Sequence, residues 1–473
     1  MQMNNQLKNQ GINVGDPTDS YPKDFLSINT KILEANQFGG QISIAGCSTT
    51  ALAKKYGTPL FVMDVADFQE RAKAWQVELA KHFQSSKCFY AGKAFLSRAI
   101  AKWLNELGFG LDVCSGGELA VALSAQFPAA EIEFHGNNKS EDEINQAISA
   151  GVGTIVLDSI YEIERVAKIA KQKGKVQNVH IRLTPGVVAH THEYISTAQE
   201  DTKFGFSIAS NAAINAIELI EKNSNLKLSG IHCHIGSQIL TTDGFELAAT
   251  RLLEVLKLYK ERFGKELTNL NLGGGFGIAY TEGEKSLSPK DVIPRFARKI
   301  KEFCQKHLLS EPTILLEPGR AIIGPSMSTL YSVGTIKQVQ LENNEKRTYV
   351  SVDGGMSDNI RPALYEAKYQ ALIANRTPKP NKMNESARLV GKHCETGDIL
   401  IFEQDFPEDI KVNDLLLVPA TGAYGRSMAS NYNHITKPAV VAVQNGKAKQ
   451  ILRRENFSDL MALEVEETAT NVE

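Results

Sequence analysis

The fold is decided by an apolar strand that runs directly into a helical segment, Cys88-Phe89-Tyr90-Ala91-Gly92-Lys93-Ala94 followed by residues 96–107. A lysine at the end of a buried strand is costly unless its charge is paired or neutralised. An imine bond to a carbonyl cofactor would neutralise it, whereas many strands simply end in a solvated lysine. The motifs that follow along the chain favour the first interpretation of Lys93.

Short apolar strands alternate with amphipathic helices from this point to residue 317. We predict strands at 88–93, 109–114, 131–136, 154–158, 178–184, 228–235, 268–272 and 313–317, and helices at 96–107, 116–126, 140–150, 160–173, 209–222, 243–262 and 290–308. Ser140 with Glu143 is a capping-box pattern at one helix start. Eight strands with right-handed crossovers predict an α/β fold, a parallel (β/α)₈ TIM-type barrel. An open doubly wound sheet is the alternative, and the count of eight favours closure.

The pattern changes after Gly324 to short alternating runs, which predict a mainly β C-terminal domain. These runs are 329–339, 347–352, 398–402, 414–419, and a hairpin of 439–443 and 447–452 around Gln444-Asn445-Gly446. Residues 41–45 and 60–62 could add strands to it. We therefore expect a disordered tail at 1–24, an N-terminal segment at 25–65 that contributes to the β domain, a barrel at 66–324 and the β domain at 325–473.

Composition excludes several classes of function. The 473 residues carry a net charge of −2, and no basic block indicates nucleic-acid binding. No apolar run reaches the roughly 18 residues of a membrane span. The six cysteines form no CxxC pair, which is typical of free thiols in a reducing compartment. We expect a cytoplasmic protein without nucleic-acid or membrane partners.

The active site of such a barrel lies at the C-terminal ends of its strands. In this sequence those ends carry Lys93, Asp112, Arg182, His234, Gly273–Gly275 and Glu317–Arg320. Consecutive glycines let backbone N–H groups approach an anion such as phosphate, although they also occur in simple tight turns. Glu317 could pair with a protonated ring nitrogen and Arg320 with a phosphate or carboxylate, or the two could form an internal ion pair.

Two further motifs admit more than one interpretation. His232 and His234 share a strand face, so a metal site must be considered, but no third ligand follows at metal-like spacing. We expect no metal; His234 stacked on a cofactor ring and Ser237 donating to phosphate fit better, with His232 as a buried structural histidine. Cys394, beside Glu395, is either a small buried apolar side chain or a proton donor.

In this order the motifs resemble those of the fold-type III pyridoxal-phosphate-dependent decarboxylases of basic amino acids. The resemblance runs from about residue 40 to about residue 455. The segments that carry it are Tyr90–Ala94, Thr191–Thr197, Lys203–Gly205, His232–Gln238, Gly273–Tyr280, Glu317–Arg320, Arg361–Tyr365, Cys394–Asp398 and Gly422–Asn433. Several of these motifs are weak singly, and their joint order is specific.

The resemblance implies pyridoxal 5'-phosphate as cofactor and a role for each matching residue. Lys93 would hold the cofactor as an imine, His234 would stack on its ring, and Cys394 would protonate the carbanion after carbon dioxide leaves. Cofactor-binding residues would be Lys93, Asp112, His234, Ser237, Gly273, Gly274, Gly275, Glu317, Pro318, Gly319, Arg320 and Tyr424. Substrate-binding residues would be Arg320, Arg361, Tyr365, Glu395 and Tyr424.

The same resemblance implies an amino-acid substrate and a homodimer with shared active sites, because Cys394 and Glu395 would reach the site from a second subunit. Two arginines with Glu395 suit a substrate that has two carboxylates and two amines. They favour decarboxylation of meso-2,6-diaminopimelate to L-lysine over a reaction on ornithine.

Three residues depart from the family pattern, which usually has Asn at Phe95, Gly at Ala198 and Ser at Thr396. Their effect on specificity is open, and Thr396 at least keeps the hydroxyl. The alternatives are a related fold-type III decarboxylase or racemase that acts on another amino acid, and a decarboxylase-like regulator without activity. A racemase of this fold would lack the Cys-Glu motif and the arginine pair. A decarboxylase-like regulator should have lost Lys93 or Cys394, and the chain keeps both.

Overall fold

The computed structural model describes residues 24–32, 41–187, 203–342, 345–378 and 383–465. It has two compact units, one formed by Ala66–Ser326 with Lys23–Phe25, the other by Leu26–Val65 with the chain from Met327 onward. The motif Thr191–Thr197, Ala198 and residues 1–23 of the predicted tail lie outside the described residues.

The first unit contains a closed ring of eight parallel strands, which we number one to eight in chain order. They are Ser86–Ala91, Gly110–Val113, Ile132–Phe134, Thr154–Leu157, Gln177–Thr184, Leu226–His232, Asn269–Asn271 and Thr313–Leu316. Strand eight pairs with strand one, Leu316 opposite Cys88, and this pairing closes the ring. The predicted TIM-type barrel is confirmed. A two-residue strand, Phe206–Ser207, extends beside strand five.

The helices around the ring begin in a regular way. They are Val65–His82, Arg98–Glu106, Gly116–Ser124, Glu141–Ala150, Ile160–Gln172, Ala212–Glu221, Asp243–Phe263, Pro289–His307 and Arg320–Ser326, with 3₁₀ turns at Gly92–Ala94 and Ala129–Glu131. Four of the helices after strands one to four are capped by a serine whose hydroxyl accepts a backbone N–H: Ser97, Ser115, Ser140 and Ser159. The capping box of Ser140 and Glu143 is present as predicted.

The second unit is mainly β. Its principal sheet has the strand order Ile399–Pro407, Met383–Val390, Lys346–Val352, Met327–Gln340, Leu60–Asp64, Ala439–Gln444 and Lys447–Leu452, with Leu415–Val418 paired to Met327–Gln340 and to Leu372–Ile373. A smaller sheet contains Thr30–Ile32, Ile42–Ile44 and Cys47–Ser48. The short helices are Thr49–Tyr56, Arg361–Tyr365 and Phe457–Met461, and 3₁₀ turns lie at Arg426–Met428 and Tyr432–His434.

The strand Leu60–Asp64 ties the N-terminal segment into this sheet. It runs antiparallel to Met327–Gln340 and parallel to Ala439–Gln444. Its buried Leu60 and Val62 pack in one apolar cluster with side chains from both ends of the chain, among them Ile44, Leu330 and Val441. Among the described residues, no helix combines the length and apolarity that crossing a bilayer requires.

A buried ion pair joins two segments of the barrel unit. The Nζ of Lys139, a residue only 2% exposed, lies 2.9 Å from Glu162 Oε1 and donates to the carbonyl oxygens of Gly136 and Val156 at 2.7 and 2.8 Å. The Glu162 carboxylate in turn accepts the N–H of Asp158 at 2.8 Å. Because both charges are out of solvent, removal of one leaves the other without compensation.

Replacement of Lys139 by Met should lower the free energy of unfolding of the barrel by about 3–5 kcal/mol. Both tryptophans, Trp75 and Trp103, lie in the barrel unit, so denaturant unfolding followed by tryptophan fluorescence reports on it. The matched control is Lys168→Met, because the Nζ of Lys168 lies 3.6 Å from Glu141 in an exposed pair; it should cost less than about 1 kcal/mol. Equal losses for the two variants would contradict the prediction.

Candidate active site

Lys93 lies immediately beyond strand one, in the 3₁₀ turn Gly92–Ala94, and its side chain is exposed. The predicted strand 88–93 ends two residues early, at Ala91, because the chain enters this turn before Lys93. Its charge still acts on Asp112, where it opposes the rise in pKa that burial causes. Phe95 follows the turn, is buried, and accepts the hydroxyl of Tyr90 on its carbonyl oxygen at 2.9 Å.

Glu317 is a buried carboxylate at the end of strand eight, only 3% exposed. Its Oε1 accepts the side-chain amide of Asn271 at 2.8 Å and lies 3.2 Å from His232 Nε2 and 3.4 Å from His135 Nε2. Burial alone would raise the pKa of Glu317, but the imidazoles of His232 and His135 outweigh burial and hold that pKa well below its usual range. A lowered pKa favours the ionised form of the Glu317 carboxylate at neutral pH.

Two further carboxyl groups lie in the same buried space. Asp112 Oδ1 is 3.7 Å and Glu133 Oε2 is 3.5 Å from His135 Nε2. Burial, and next the negative charge of Glu317, raise the pKa of both Asp112 and Glu133 well above the usual range. The pKa values of the three carboxyl groups are thus shifted in opposite directions, down for Glu317 and up for Asp112 and Glu133, as expected of like charges in a low-dielectric site.

The glycine segment after strand seven lies against the ends of strands six and eight. Gly273 and Gly275 have φ values of +67° and +104°, in the region that favours glycine. A Cβ at Gly273, Gly274 or Gly275 would collide with the carbonyl oxygen of Cys233, Glu317 or Gly236 respectively. These glycines are therefore required by close backbone packing, and the N–H of Gly274 points at His234 Nδ1 at 3.4 Å. Burial lowers the pKa of His234 well below its usual range, so its ring is neutral.

Arg320 begins the helix that follows strand eight and is buried. Its guanidinium donates to the hydroxyl of Tyr280 and, at 2.8 Å, to Ser237 Oγ beyond strand six. Pro318 is buried, and Gly319 leaves room for Ala91 and Ala94, so the ends of strands eight and one approach each other closely. Arg320 and Ser237 together form a pair of donors that suits an anion.

The predicted site residues of the β unit differ in exposure: Arg361, Tyr365 and Tyr424 are buried or half-buried, and the others are exposed. Arg361 is buried at the start of the helix Arg361–Tyr365 and donates to the hydroxyl of Tyr369, while Tyr365 at its end is half-buried. Cys394 and Glu395 are exposed, as is Thr396. Tyr424 is half-buried with a φ of +63°.

The turn that carries Cys394 is ordered by a carboxylate. Asp398 accepts the N–H groups of Met356 at 2.6 Å and His393 at 2.8 Å, and lies 3.0 Å from His393 Nδ1. The N–H of Cys394 donates to Asn433 Oδ1 at 3.3 Å, and Tyr432 donates to Glu395 at 3.4 Å. Cys394 is therefore a surface thiol on a fixed turn, and the alternative of a buried apolar cysteine was wrong.

Sequence reasoning missed four polar side chains at the heart of the barrel: Glu133, His135, His180 and Asn271. All four are buried. The signal that could have found them is a charged or amide side chain inside a short strand that is otherwise apolar, since such a group needs a partner across the ring. Burial lowers the pKa of His180 to about 3, so this imidazole is neutral.

Three of the buried side chains have spacing that a metal ion could use. Ligand atoms of His135, His232 and Glu317 lie within 4.8 Å of one another. In this group the second histidine is His135, whereas the sequence had suggested His234 as the possible second metal ligand beside His232. Asn271 already donates to Glu317 there. The absence of a metal stays a prediction.

A phosphorylated pyridine aldehyde fits the chemistry of these residues. The ring nitrogen would meet the ionised Glu317, and the phosphate would meet Arg320, Ser237 and the glycine segment. Lys93 is exposed at the neighbouring strand end, where it can react with a carbonyl group. Each of the three functional groups of such a cofactor thus has a residue of matching chemistry in the barrel.

Comparison with known proteins gives the same picture. The pyridoxal-binding domain of the pyridoxal-dependent decarboxylases matches residues 65–324. The diaminopimelate decarboxylase of Mycobacterium tuberculosis is 49% identical over 431 residues, which cover 90% of this chain and 95% of that protein. That of Corynebacterium efficiens is 47% identical over 430 residues, with 91% and 92% covered.

A solved structure agrees over nearly the whole chain. The crystal structure of diaminopimelate decarboxylase from M. jannaschii in complex with L-lysine has a TM-score of 0.83 at 31% identity, and the match covers 93% of this chain and 98% of that one. From the matched domain and these near-full-length relatives, we conclude that the chain belongs to the family of pyridoxal-dependent decarboxylases.

Proposed function

We propose that this protein is a carboxy-lyase that converts meso-2,6-diaminopimelate to L-lysine and carbon dioxide, the last step of lysine biosynthesis. The observation that carries the proposal is the shared name of relatives that are 47–49% identical over at least 90% of the chain. The geometry supports it, because the barrel offers a buried ionised carboxylate, an anion-binding set of donors and a lysine in reach of solvent. The proposed compartment is the cytoplasm.

The cofactor is pyridoxal 5'-phosphate, whose ring, when bound, accepts the electron pair released as carbon dioxide leaves. Lys93 attaches it, and Glu317 keeps the proton on the ring nitrogen because its own carboxylate stays ionised. The neutral His234 stacks on the ring. Ser237, Arg320 and the segment Gly273–Gly275 hold the phosphate; Asp112, Pro318, Gly319 and Tyr424 complete the cofactor site.

The proposed substrate site has charges that match a molecule with two carboxylates and two amines. Arg320 and Arg361 bind carboxylates and Glu395 binds the distal ammonium group, with Tyr365 and Tyr424 beside them. The bond from Arg361 to Tyr369 supports this role, since it fixes the direction of a buried guanidinium before substrate arrives. An enzyme for a plain diamine precursor would need an acidic group where Arg361 stands.

Cys394 is the proposed proton donor to the carbon that loses its carboxylate, and we propose that a second subunit supplies it together with Glu395. Both side chains are exposed on a turn whose backbone is held by Asp398 and Asn433. The same unit exposes Leu364, Phe402 and Tyr432 at 45%, 50% and 42%. Tyr432 lies beside the turn, because its hydroxyl donates to Glu395. An exposed thiol on a fixed turn, in a unit that also exposes apolar side chains, suits an interface between two copies of the chain.

We also propose a separate role for each domain. Residues 66–324 form the cofactor-binding barrel. Residues 325–473, with a contribution from 25–65, complete the active site. A homodimer then contains two shared sites.

Purified protein with added pyridoxal phosphate should release carbon dioxide from meso-diaminopimelate and far less from lysine, ornithine or arginine, because the distal carboxylate and ammonium group are both recognised. Lys93→Ala should abolish the release and the visible absorbance of the bound cofactor. Lys87→Ala, in the strand that leads to Lys93, serves as the control. Release chiefly from another amino acid would contradict the substrate assignment. No release from any of the four would indicate a regulator.

Shared sites can be tested by mixing two defective variants. Lys93→Ala should be inactive, and Cys394→Ala should be slow while it still binds cofactor. In a mixed dimer one site combines Lys93 of one chain with Cys394 of the other, so random exchange of equal amounts should restore about a quarter of wild-type activity. Activity no greater than the average of the separate variants, in a mixture shown to have exchanged subunits, would contradict sharing.

A further inference from the structure

Asn271 ends strand seven and is fully buried, with 0% of its surface exposed. Its Oδ1 accepts the N–H of Gly273 at 2.9 Å. Its Nδ2 donates to Glu317 Oε1 and to Glu133 Oε2, each at 2.8 Å. Because the N–H of Gly273 can only donate, it fixes the orientation of the amide and turns both amide protons toward the two carboxyl groups.

This amide joins strands three, seven and eight through one side chain. Glu133 lies in strand three and Glu317 follows strand eight, so neither is near Asn271 in sequence. The three hydrogen bonds of the Asn271 amide all go to groups of the barrel, and together they hold the amide in one orientation. The hydrogen bond from Asn271 therefore restricts the orientation of the Glu317 carboxylate, together with the neighbouring His232 and His135.

We propose that Asn271, backed by Glu133, is a positioning residue that holds the carboxylate of Glu317 in the orientation and charge needed to face the ring nitrogen of the cofactor. The inference rests on the proposed function and deepens it. Glu133 takes the second amide proton and so prevents Asn271 from turning away. Neither residue is expected to touch the cofactor.

Several charged or titratable groups surround Glu317 and set the background against which Asn271 acts. They are His232 and His234 of strand six and its end, His135 and Glu133 of strand three and its end, Asp112 of strand two, His180 and Arg182 of strand five, and Lys93 beyond strand one. A donor lost from Glu317 leaves these groups in place, so the pKa of Glu317 should rise and its proton should be taken up at higher pH.

The sharpest variant is Asn271→Asp. The aspartate keeps the shape and can still accept the N–H of Gly273, but it presents an oxygen in place of both donors to Glu317 and Glu133. The matched control is Asn269→Asp, the same change two residues earlier in strand seven, where the amide lies 3.1 Å from His180 Nε2. A second variant, Asn271→Leu, removes all three bonds without adding a charge.

We expect Asn271→Asp and Asn271→Leu to lower kcat roughly 10- to 100-fold, as the loss of a bond to a charged group predicts, with KM for substrate within about threefold. In a plot of kcat against pH, the fall in kcat on the acid side should move to higher pH. The change that acid causes in the absorbance of the bound cofactor should move to higher pH as well. Asn269→Asp should keep the wild-type titration. A purely structural role would lower the melting temperature and leave the titration of bound cofactor unchanged.

The proposal is overturned if a folded Asn271 variant keeps the wild-type kcat and absorbance titration, or if Asn269→Asp shifts that titration equally. It is also overturned if neither Asn271 variant folds while Asn269→Asp does, because Asn271 is then needed for the fold itself. The pH titration of the bound cofactor's absorbance can be measured on protein that does not turn over substrate. A wild-type protein that binds cofactor but does not act on diaminopimelate would refute the proposed function and leave the test of Asn271 intact.

Discussion

The pairing of strand eight with strand one is the constraint on which the rest of the barrel depends. Leu316 lies opposite Cys88, so Glu317 and Lys93 follow two neighbouring strands at the same end of the barrel. Gly319 permits this approach because a side chain there would press on Ala91 and Ala94. Once the ring is closed, an exposed lysine and a buried carboxylate that are more than two hundred residues apart in sequence share one end of the barrel.

A closed ring also brings buried polar side chains from different strands close to one another. Three carboxyl groups, Asp112, Glu133 and Glu317, lie among them, and burial with mutual repulsion raises the pKa of the first two. The ionised form of Glu317 survives because imidazoles and an amide surround it. The stability and the chemistry of this region are therefore set by the same network, in which a buried charge is tolerated only with its full set of partners.

Most strands and helices of the barrel could be predicted from local patterns, because each is short and has a regular apolar spacing. Several of the helices also begin at a serine cap or end at a glycine. The helix Val65–His82 was missed although its buried Val65, Phe68, Ala72, Trp75 and Leu79 follow helical spacing. The strand Met383–Val390 was missed because its alternation is weak. The partners of Glu317 could not be predicted, because Glu133, His135 and Asn271 meet across the ring and local spacing carries no information on that meeting. The exposure of Lys93 depends on a single turn after the strand.

The central claim is that the strand ends of this barrel form a cofactor site with Lys93 as its point of attachment. Borohydride reduction of the protein loaded with pyridoxal phosphate, followed by peptide mass spectrometry, tests it most directly. The account predicts that the reduced cofactor is recovered on the peptide that contains Lys93, at about one per chain. Recovery on another lysine, such as Lys139, or scattered labelling without a dominant site, would contradict it.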